Sequence, residues 1–241
     1  MPVNLSVSGR DTGGFYSEIH SEIARQQETP TTREFSEWLH RTFRDAGGLS
    51  ALDAGCGVHA INARTCIEHG FRTVKAVDLN MDAVRAGADI GVDHGSVLSL
   101  PYDDAAFDLV ICSGVAHHTP DPQKALNELR RVLKPDGLAY ISLYAFAGSP
   151  LDWFVRSLRR IARVLPYRSA HRMFGRIPAI NNFLLDHAYV PLLWLYTAAE
   201  ARKALQEAGF TVTGEFVTGF DFLHHYRLTG DGLLRIFIAR A

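Results

Sequence analysis

The chain has 241 residues, 47% of them hydrophobic and 21% charged, enough apolar content to bury one α/β core with additions and too much for a disordered tail. A formal net charge of -1 gives no global electrostatic case for a nucleic-acid partner, and none is expected. Three cysteines, Cys56, Cys66 and Cys112, do not make a disulfide framework, and the opening residues show neither a basic n-region nor an apolar run, so a reducing cytoplasm is the expected setting.

In chain order, Glu18 to Gln27 and Thr32 to Ala46 read as helices, the second opened by a Thr31-Thr32 cap after Pro30 and closed by Gly47-Gly48. They belong to an N-terminal helical lid region, residues 1–48. From residue 49 the pattern changes. Short apolar runs at Leu49 to Ala54, Thr73 to Asp78, Phe107 to Cys112 and Leu138 to Leu143 alternate with stretches of helical spacing. This is the pattern of parallel strands buried on both faces, and right-handed crossovers turn it into an open doubly wound sheet over residues 49–147. An irregular insert follows over residues 148–196. Residues 197–241 then read as a helix from Ala198 to Ala208, a strand from Phe210 to Val217 and a last strand from Leu233 to Arg240. The final two strands nearly adjoin and are expected to be antiparallel. The most apolar late stretch, Phe183 to Ala199, is broken by Asp186, His187 and Pro191, short of the roughly 18 apolar residues that span a bilayer, so no transmembrane helix is expected.

Leu52-Asp53-Ala54-Gly55-Cys56-Gly57 ends a buried strand and opens a helix, which aims backbone N–H groups at the carboxyl edge of the sheet. Gly55-x-Gly57-x-x-Ala60 also fits the dinucleotide pattern, with Asp78 about 20 residues downstream where a ribose-binding acid belongs. This motif alone does not choose between nucleoside cofactors, and a plain tight turn is the competing account.

Four further groups extend it. They are Ala76-Val77-Asp78-Leu79, Gly95-Ser96-Val97 through Leu100-Pro101-Tyr102, Phe107-Asp108-Leu109-Val110, and Leu133-Lys134-Pro135-Asp136-Gly137. With them, residues about 50 to 145 resemble the class I S-adenosylmethionine (SAM)-dependent methyltransferase family, small-molecule branch. The resemblance implies one Rossmann-like α/β domain over 1–241: a seven-stranded doubly wound sheet, mostly parallel with an antiparallel last strand, plus N-terminal helices and a helical insert. It implies SAM as cofactor. Asp53 would lie near the methionine ammonium, Gly55, Cys56 and Gly57 would let the backbone approach, and Asp78 with Leu79 would hold the ribose. Ser96 and Val97 would serve the adenine, with Ser113 and Gly114 at the end of the family's strand four, here the run that starts at Phe107. Phe15, Tyr16, Arg25 and Arg33 suit a lid, Tyr16 being the cofactor contact expected there. His59 stands where the family has a third glycine, and Ser96 where it has an acid.

The reaction expected is methyl transfer to a small-molecule acceptor, with a dedicated base optional. His117 and His118 follow strand four at the switch-point crevice, where an imidazole can take a proton. The competing account packs His117 beside the methionine arm and has His118 cap the next helix. The segment Asp186-His187-Ala188-Tyr189-Val190-Pro191, followed by Leu192, Leu193, Trp194 and Tyr196, is expected to line the pocket, with Asp186 and Tyr189 its leading polar groups and Tyr189 a catalytic candidate. Strand six runs parallel, so the loop Thr218 to Gly230 brings Asp221, His224, His225 and Tyr226 to the same face, Tyr226 being a catalytic candidate. No metal is expected. The insert from Leu151 to Arg176 sets seven arginines against Asp152, with Trp153, Phe154, Leu158, Ile161 and Leu165 at helical spacing. This basic amphipathic helix is open to four roles: a solvated cationic face over a packed apolar one, a cap for an acidic or carrier-bound acceptor, a homodimer contact, or attachment to an anionic membrane. The rivals to methyl transfer are intramolecular cyclisation that releases methylthioadenosine, a non-catalytic SAM sensor and, last, an NAD-dependent dehydrogenase.

Overall fold

A computed structural model describes residues 2–6, 15, 30–165, 167–174, 183–218 and 234–241. The elements are β1 (Val3–Asn4), α1 (Pro30–Thr42), β2 (Ser50–Ala54), α2 (Ile61–Glu68), β3 (Thr73–Asp78), α3 (Met81–Ala86), β4 (Val92–His94), β5 (Phe107–Ser113), α4 (Pro122–Val132) and β6 (Leu133–Tyr144). They continue with α5 (Pro150–Ala162), α6 (Tyr167–Phe174), a π-helical turn (Leu184–Tyr189), β7 (Trp194–Leu195), α7 (Ala198–Glu207), β8 (Thr211–Thr218) and β9 (Leu234–Arg240).

Seven strands form one sheet in the order β4-β3-β2-β5-β6-β9-β8. Pairings from β4 to β6 are parallel, and β9 is antiparallel to both β6 and β8. The expected mostly parallel sheet with an antiparallel last strand is therefore present. Strand order reverses at β2, with β3 on one side and β5 on the other, which opens a crevice at their carboxyl ends. Leu52, Val110, Ile141 and Phe237 are fully buried towards one layer of helices, and Ala51, Leu109, Ile111 and Tyr140 towards the other.

Several boundaries differ from the sequence reading. Helix α1 begins at Pro30 rather than after it, because proline's fixed φ and missing N–H suit the first helical position, and it stops at Thr42. Phe35 and Leu39 bury it against the sheet, with the Phe35 ring 4.9 Å from that of Tyr140. This described part of the supposed lid thus lies flat on a sheet face. The Glu18 to Gln27 helix lies outside the described residues. Strand β6 starts at Leu133, not Leu138. Leu133 pairs with Phe107 and Leu138 with Leu109, so the turn residues 134–137 bulge out opposite Asp108. Lys134 clamps that bulge through a 2.8 Å ion pair to Asp108.

The insert is more regular than expected and is oriented differently. Ser149 caps α5, Pro150 follows, and the helix buries Leu151, Asp152, Val155, Arg159 and Ala162. Trp153, Phe154 and Ile161, which the first of the four sequence accounts packs inward, are 72%, 53% and 52% exposed. Arg159, which the same account leaves in solvent, is 4% exposed. Its guanidinium donates to the carbonyls of Leu5 (2.9 Å), His187 (2.9 Å) and Pro191 (3.3 Å). Three backbone acceptors replace the water such a charge would lose, so the arginine can serve as an interior clip. β1 and β7 pair antiparallel beside it, a contact that two residues of strand did not announce.

Candidate functional site

The site is built at the carboxyl ends of β2, β3 and β5. Gly55 and Gly57 have positive φ, +80° and +63°, which carries the chain from β2 into α2. Gly55 and Cys56 both donate backbone N–H groups to the Val77 carbonyl, at 2.8 and 3.1 Å. A Cβ on Gly55 would stand 2.5 Å from Val115 Cγ2 and 2.7 Å from its Cγ1. Valine is stiff at χ1 and cannot swing aside, so both backbone conformation and space require glycine there. Gly55→Ala is expected to lower stability by about 2 kcal/mol and to weaken ligand binding with it. Thermal unfolding of the variant checks this, and an unchanged Tm would contradict the packing.

Asp78 ends β3 and holds the loop. Its Oδ2 accepts from Gly57 N and its Oδ1 from Asn80 N, both at 2.8 Å. Each oxygen retains a second acceptor direction. Asp53 is buried, accepting from Ala63 N at 3.1 Å, and burial pushes its carboxyl up to about 7, against the hydrogen bonds from Ala63 and Asn62. Among the described residues it has no ion-pair partner. Cys56 sits beside both acids, and burial followed by their charge raises its thiol far above the usual range, so it stays protonated. Leu79 is 53% exposed beside Asp78. Gly95 N donates to the Asp78 carbonyl at 3.0 Å and brings Ser96 and Val97 alongside. The Ser96 hydroxyl accepts from Leu98 N in its own turn, which leaves its O–H free to donate. Across the crevice, Gly114 N donates to Ser142 Oγ at 2.7 Å, with Ser113 Oγ 3.4 Å from that hydroxyl. Asp53, Gly55, Cys56, Gly57, Asp78, Leu79, Ser96, Val97, Ser113 and Gly114 are thus gathered at one sheet edge. Tyr16 and the loop bearing Asp221, His224, His225 and Tyr226 lie outside the described residues, as does the Asp186 side chain.

His117 and His118 form a short 3-10 turn after β5, and both are buried. Asp121, not His118, caps α4 by accepting from Lys124 N. His118 Nδ1 instead donates to the Leu192 carbonyl at 2.8 Å. Among the described residues, His117 has no hydrogen-bond partner on either ring nitrogen. Its ring lies 4.3 Å from His118 and 4.1 Å from Tyr144, and Tyr144 lies 4.7 Å from His187. His187 donates Nδ1 to the Phe183 carbonyl, while its buried Nε2 has no partner among the described residues. Burial depresses all three imidazoles: His117 well below its ordinary range, His118 to about 4 and His187 to about 3. The neighbouring imidazoles depress His117 further; the Ser142 backbone opposes this without reaching hydrogen-bonding geometry. Tyr189, the remaining insert candidate, donates its hydroxyl to the Leu165 carbonyl at 3.0 Å and packs on Tyr167. Tyr144 escaped the sequence reading, and His187 entered it only as part of the pocket-lining segment Asp186 to Pro191. A histidine breaking an apolar run is a visible signal, since such a group needs a reason to be buried.

Comparison with known proteins follows the same geometry. Residues 52–141 match the family model described as a methyltransferase domain. The uncharacterized methyltransferase YcgJ of Bacillus subtilis is 39% identical over 74 residues, 30% of this chain and 29% of that protein. A demethylmenaquinone methyltransferase of the same organism is 26% identical over 137 residues, 52% and 59% of the two chains. The chain thus matches between about a third and three fifths of these relatives' own length. In fold, it resembles a 1,6-didemethyltoxoflavin-N1-methyltransferase of Burkholderia thailandensis solved with S-adenosylhomocysteine. The TM-score is 0.62 and the identity 20%, over 100% of this chain and 95% of that one. The cyclase SpnF gives a TM-score of 0.61 at 17% identity over 95% and 94%. At these identities the likeness is one of fold alone.

Proposed function

We propose that this chain, which carries a class I SAM-dependent methyltransferase domain, methylates a small-molecule acceptor held between the β5 exit and the insert. The observation that carries the reading is the pair of carboxylates flanking one glycine loop. Asp53 is buried without a cation partner among the described residues, and Asp78 has an acceptor direction to spare on each oxygen. A ligand with an ammonium at one end and a ribose diol at the other satisfies both. When bound there, SAM supplies a methyl group already attached to a sulfonium leaving group.

The chain's own residues are then left to bind, orient and exclude water. Asp53 would hold the ammonium and Asp78 the diol, while Leu79 and Val97 present apolar surface to the adenine. His117, His118, Tyr144 and His187 form a ring-lined wall beneath the insert. With all three imidazoles neutral above about pH 5, their bare nitrogens accept hydrogen bonds and position an acceptor hydroxyl or N–H. They are too weakly basic for efficient proton abstraction near pH 7. The named acceptors of the two methyltransferase relatives, demethylmenaquinone and didemethyltoxoflavin, support a small molecule as acceptor.

Mass spectrometry of the purified protein incubated with SAM and cell extract tests the reading. S-adenosylhomocysteine together with an acceptor heavier by one methyl group is expected. Methylthioadenosine would establish cyclisation instead, and no sulfur product at all would leave a sensor. His117→Phe is expected to lower turnover at least about tenfold while SAM affinity stays within about twofold. Equal losses in both would reduce the residue to packing. The kcat profile should show no inflection near pH 6.5 from these histidines.

A further inference from the structure

Helix α5 is apolar on two sides. Its inner side, Leu151, Val155 and Ala162, packs against Tyr144, Phe146 and the chain from Ala188 to Leu195. At about 100° per residue, Trp153, Ile161 and Phe154 fall within a second stripe roughly 100° wide that points away from the core, and Val164 follows in the turn just after the helix. These four are 72%, 52%, 53% and 82% exposed. Arg156, Arg160 and Arg163 run along one border of the stripe, and the one acid of the helix, Asp152, is buried and paired with Arg156.

Beside this border, between α5 and the chain from Asn4 to Ser6, lies a cavity of about 280 Å³ lined by Arg156, Arg159, Arg160 and Arg163 with Leu5 and Ser6. A second cavity of about 400 Å³ continues the groove to Val3 and Trp153. Arg159 is fixed by its three carbonyls, whereas Arg160 and Arg163 have no carboxylate partner among the described residues. Over residues 148–176 the sequence places seven arginines against one acid, although the chain as a whole has a net charge of -1.

We infer that the outer face of α5, with the arginine-lined groove beside it, docks the protein on a bilayer surface containing anionic phospholipid. Trp153, Phe154, Ile161 and Val164 enter the boundary between headgroups and acyl chains, and lipid phosphates occupy the groove. The charge selects an anionic surface, and the apolar stripe selects one with a hydrocarbon interior rather than a soluble anion. The size of the face argues against a folded protein partner. A helix of 13 residues presents a footprint of roughly 20 by 10 Å, far below the roughly 800 Å² per partner of a stable protein interface. A few inserted side chains with electrostatic attraction suffice for a helix lying in the plane of a membrane. The inference does not depend on the methyl-transfer reading.

Co-sedimentation of the full chain with phosphatidylcholine vesicles, with and without about 30 mol% phosphatidylglycerol, tests it. Binding is expected only to the anionic vesicles and should be lost in high salt. Arg160→Gln with Arg163→Gln should lower the partition coefficient about 30-fold, and Trp153→Ser with Phe154→Ser at least about tenfold. Trp153, Arg160 and Arg163 are exposed, whereas Phe154 also stacks on Phe183 with ring centroids 6.2 Å apart, so circular dichroism, Tm and SAM affinity should not change in the arginine pair or in Trp153→Ser alone. No vesicle binding at low salt would overturn the inference, as would equal binding to neutral vesicles. It also fails if glycerol phosphate binds while vesicles do not, because the groove is then a site for free anions. A change of oligomeric state in Trp153→Ser with Phe154→Ser, without vesicle binding by the wild type, would make the face a self-contact and equally overturn it.

Discussion

Replacing Asp78 by alanine is expected to weaken SAM binding by about two to four orders of magnitude, because it removes two charge-assisted hydrogen bonds of about 1.5–3 kcal/mol each. The carboxylate has two jobs. It already accepts the N–H groups of Gly57 and Asn80 at 2.8 Å, so its loss also loosens the glycine loop. A fall of about 1–2 kcal/mol in stability should accompany the loss of affinity. Asp78→Asn separates the two jobs. Its single carbonyl oxygen can hold one backbone N–H, but its amide group would face the other donor-to-donor. Calorimetric titration with S-adenosylhomocysteine and with its 2′-deoxy analogue closes a cycle. The wild type should distinguish the two ligands strongly and the alanine variant hardly at all. Undiminished affinity in the variant would remove Asp78 from the site.

The same carboxylate shows why the cofactor edge was legible in the sequence and the insert was not. Asp53, Gly55, Gly57 and Asp78 lie within 26 consecutive residues, and the main chain between two adjacent parallel strands positions them. Spacing along the chain therefore maps almost directly onto spacing in the site. Thr73–Asp78 came out end to end because Val74, Ala76 and Val77 carry an apolar signal that Asp78 closes, although Thr73 and Lys75 are exposed. Val92–His94 gave no run, since it has three residues at a sheet edge, two of them polar. In β6 the residues Lys134-Pro135-Asp136-Gly137 have the composition of a turn, and only the pairing across to Phe107 and Leu109 reveals a bulge in one strand.

In α5 both faces have apolar residues at helical spacing, and periodicity cannot say which one turns inward. Arg159 settles it in the structure through carbonyls from three distant segments, information that no local window contains. That His117, Tyr144 and His187 come together as one wall was hidden for the same reason. Its members come from a strand exit, a strand end and the π-helical turn, and their proximity is tertiary. Buried imidazoles with unpartnered nitrogens cost stability, which is the form expected of a wall whose partner is an acceptor molecule.

The Asp53 carboxyl follows the same logic and yields the second large effect. Its folded value of about 7 lies above its ordinary 3.8, so between those values the folded state holds a proton that the unfolded state has released. Stability from this group is therefore full below about pH 4, falls as pH rises to 7 and levels off above it, at a cost of up to about 4 kcal/mol. The depressed histidines work in the opposite sense. His118 and His187, at about 4 and 3, cost stability as pH falls below their unfolded value of about 6.5. The wild-type profile mixes both, and Asp53→Asn isolates one. The variant is expected to be more stable than wild type by up to about 4 kcal/mol at pH 8, with the gain shrinking towards zero near pH 4.

Binding should move the other way. An ammonium beside Asp53 favours the ionised carboxylate, so SAM binding near pH 6 should release up to about one proton, and affinity should fall by as much as about tenfold per pH unit below 7. In Asp53→Asn the neutral amide should lower affinity at pH 8 by about two orders of magnitude and abolish the proton release. Urea unfolding at pH 5 and pH 8 measures the first effect. Titration calorimetry in buffers of different ionisation enthalpy measures the second. A variant that gained stability and still bound SAM as tightly as wild type would show that the buried acid is a strained structural group and that the ammonium is held elsewhere.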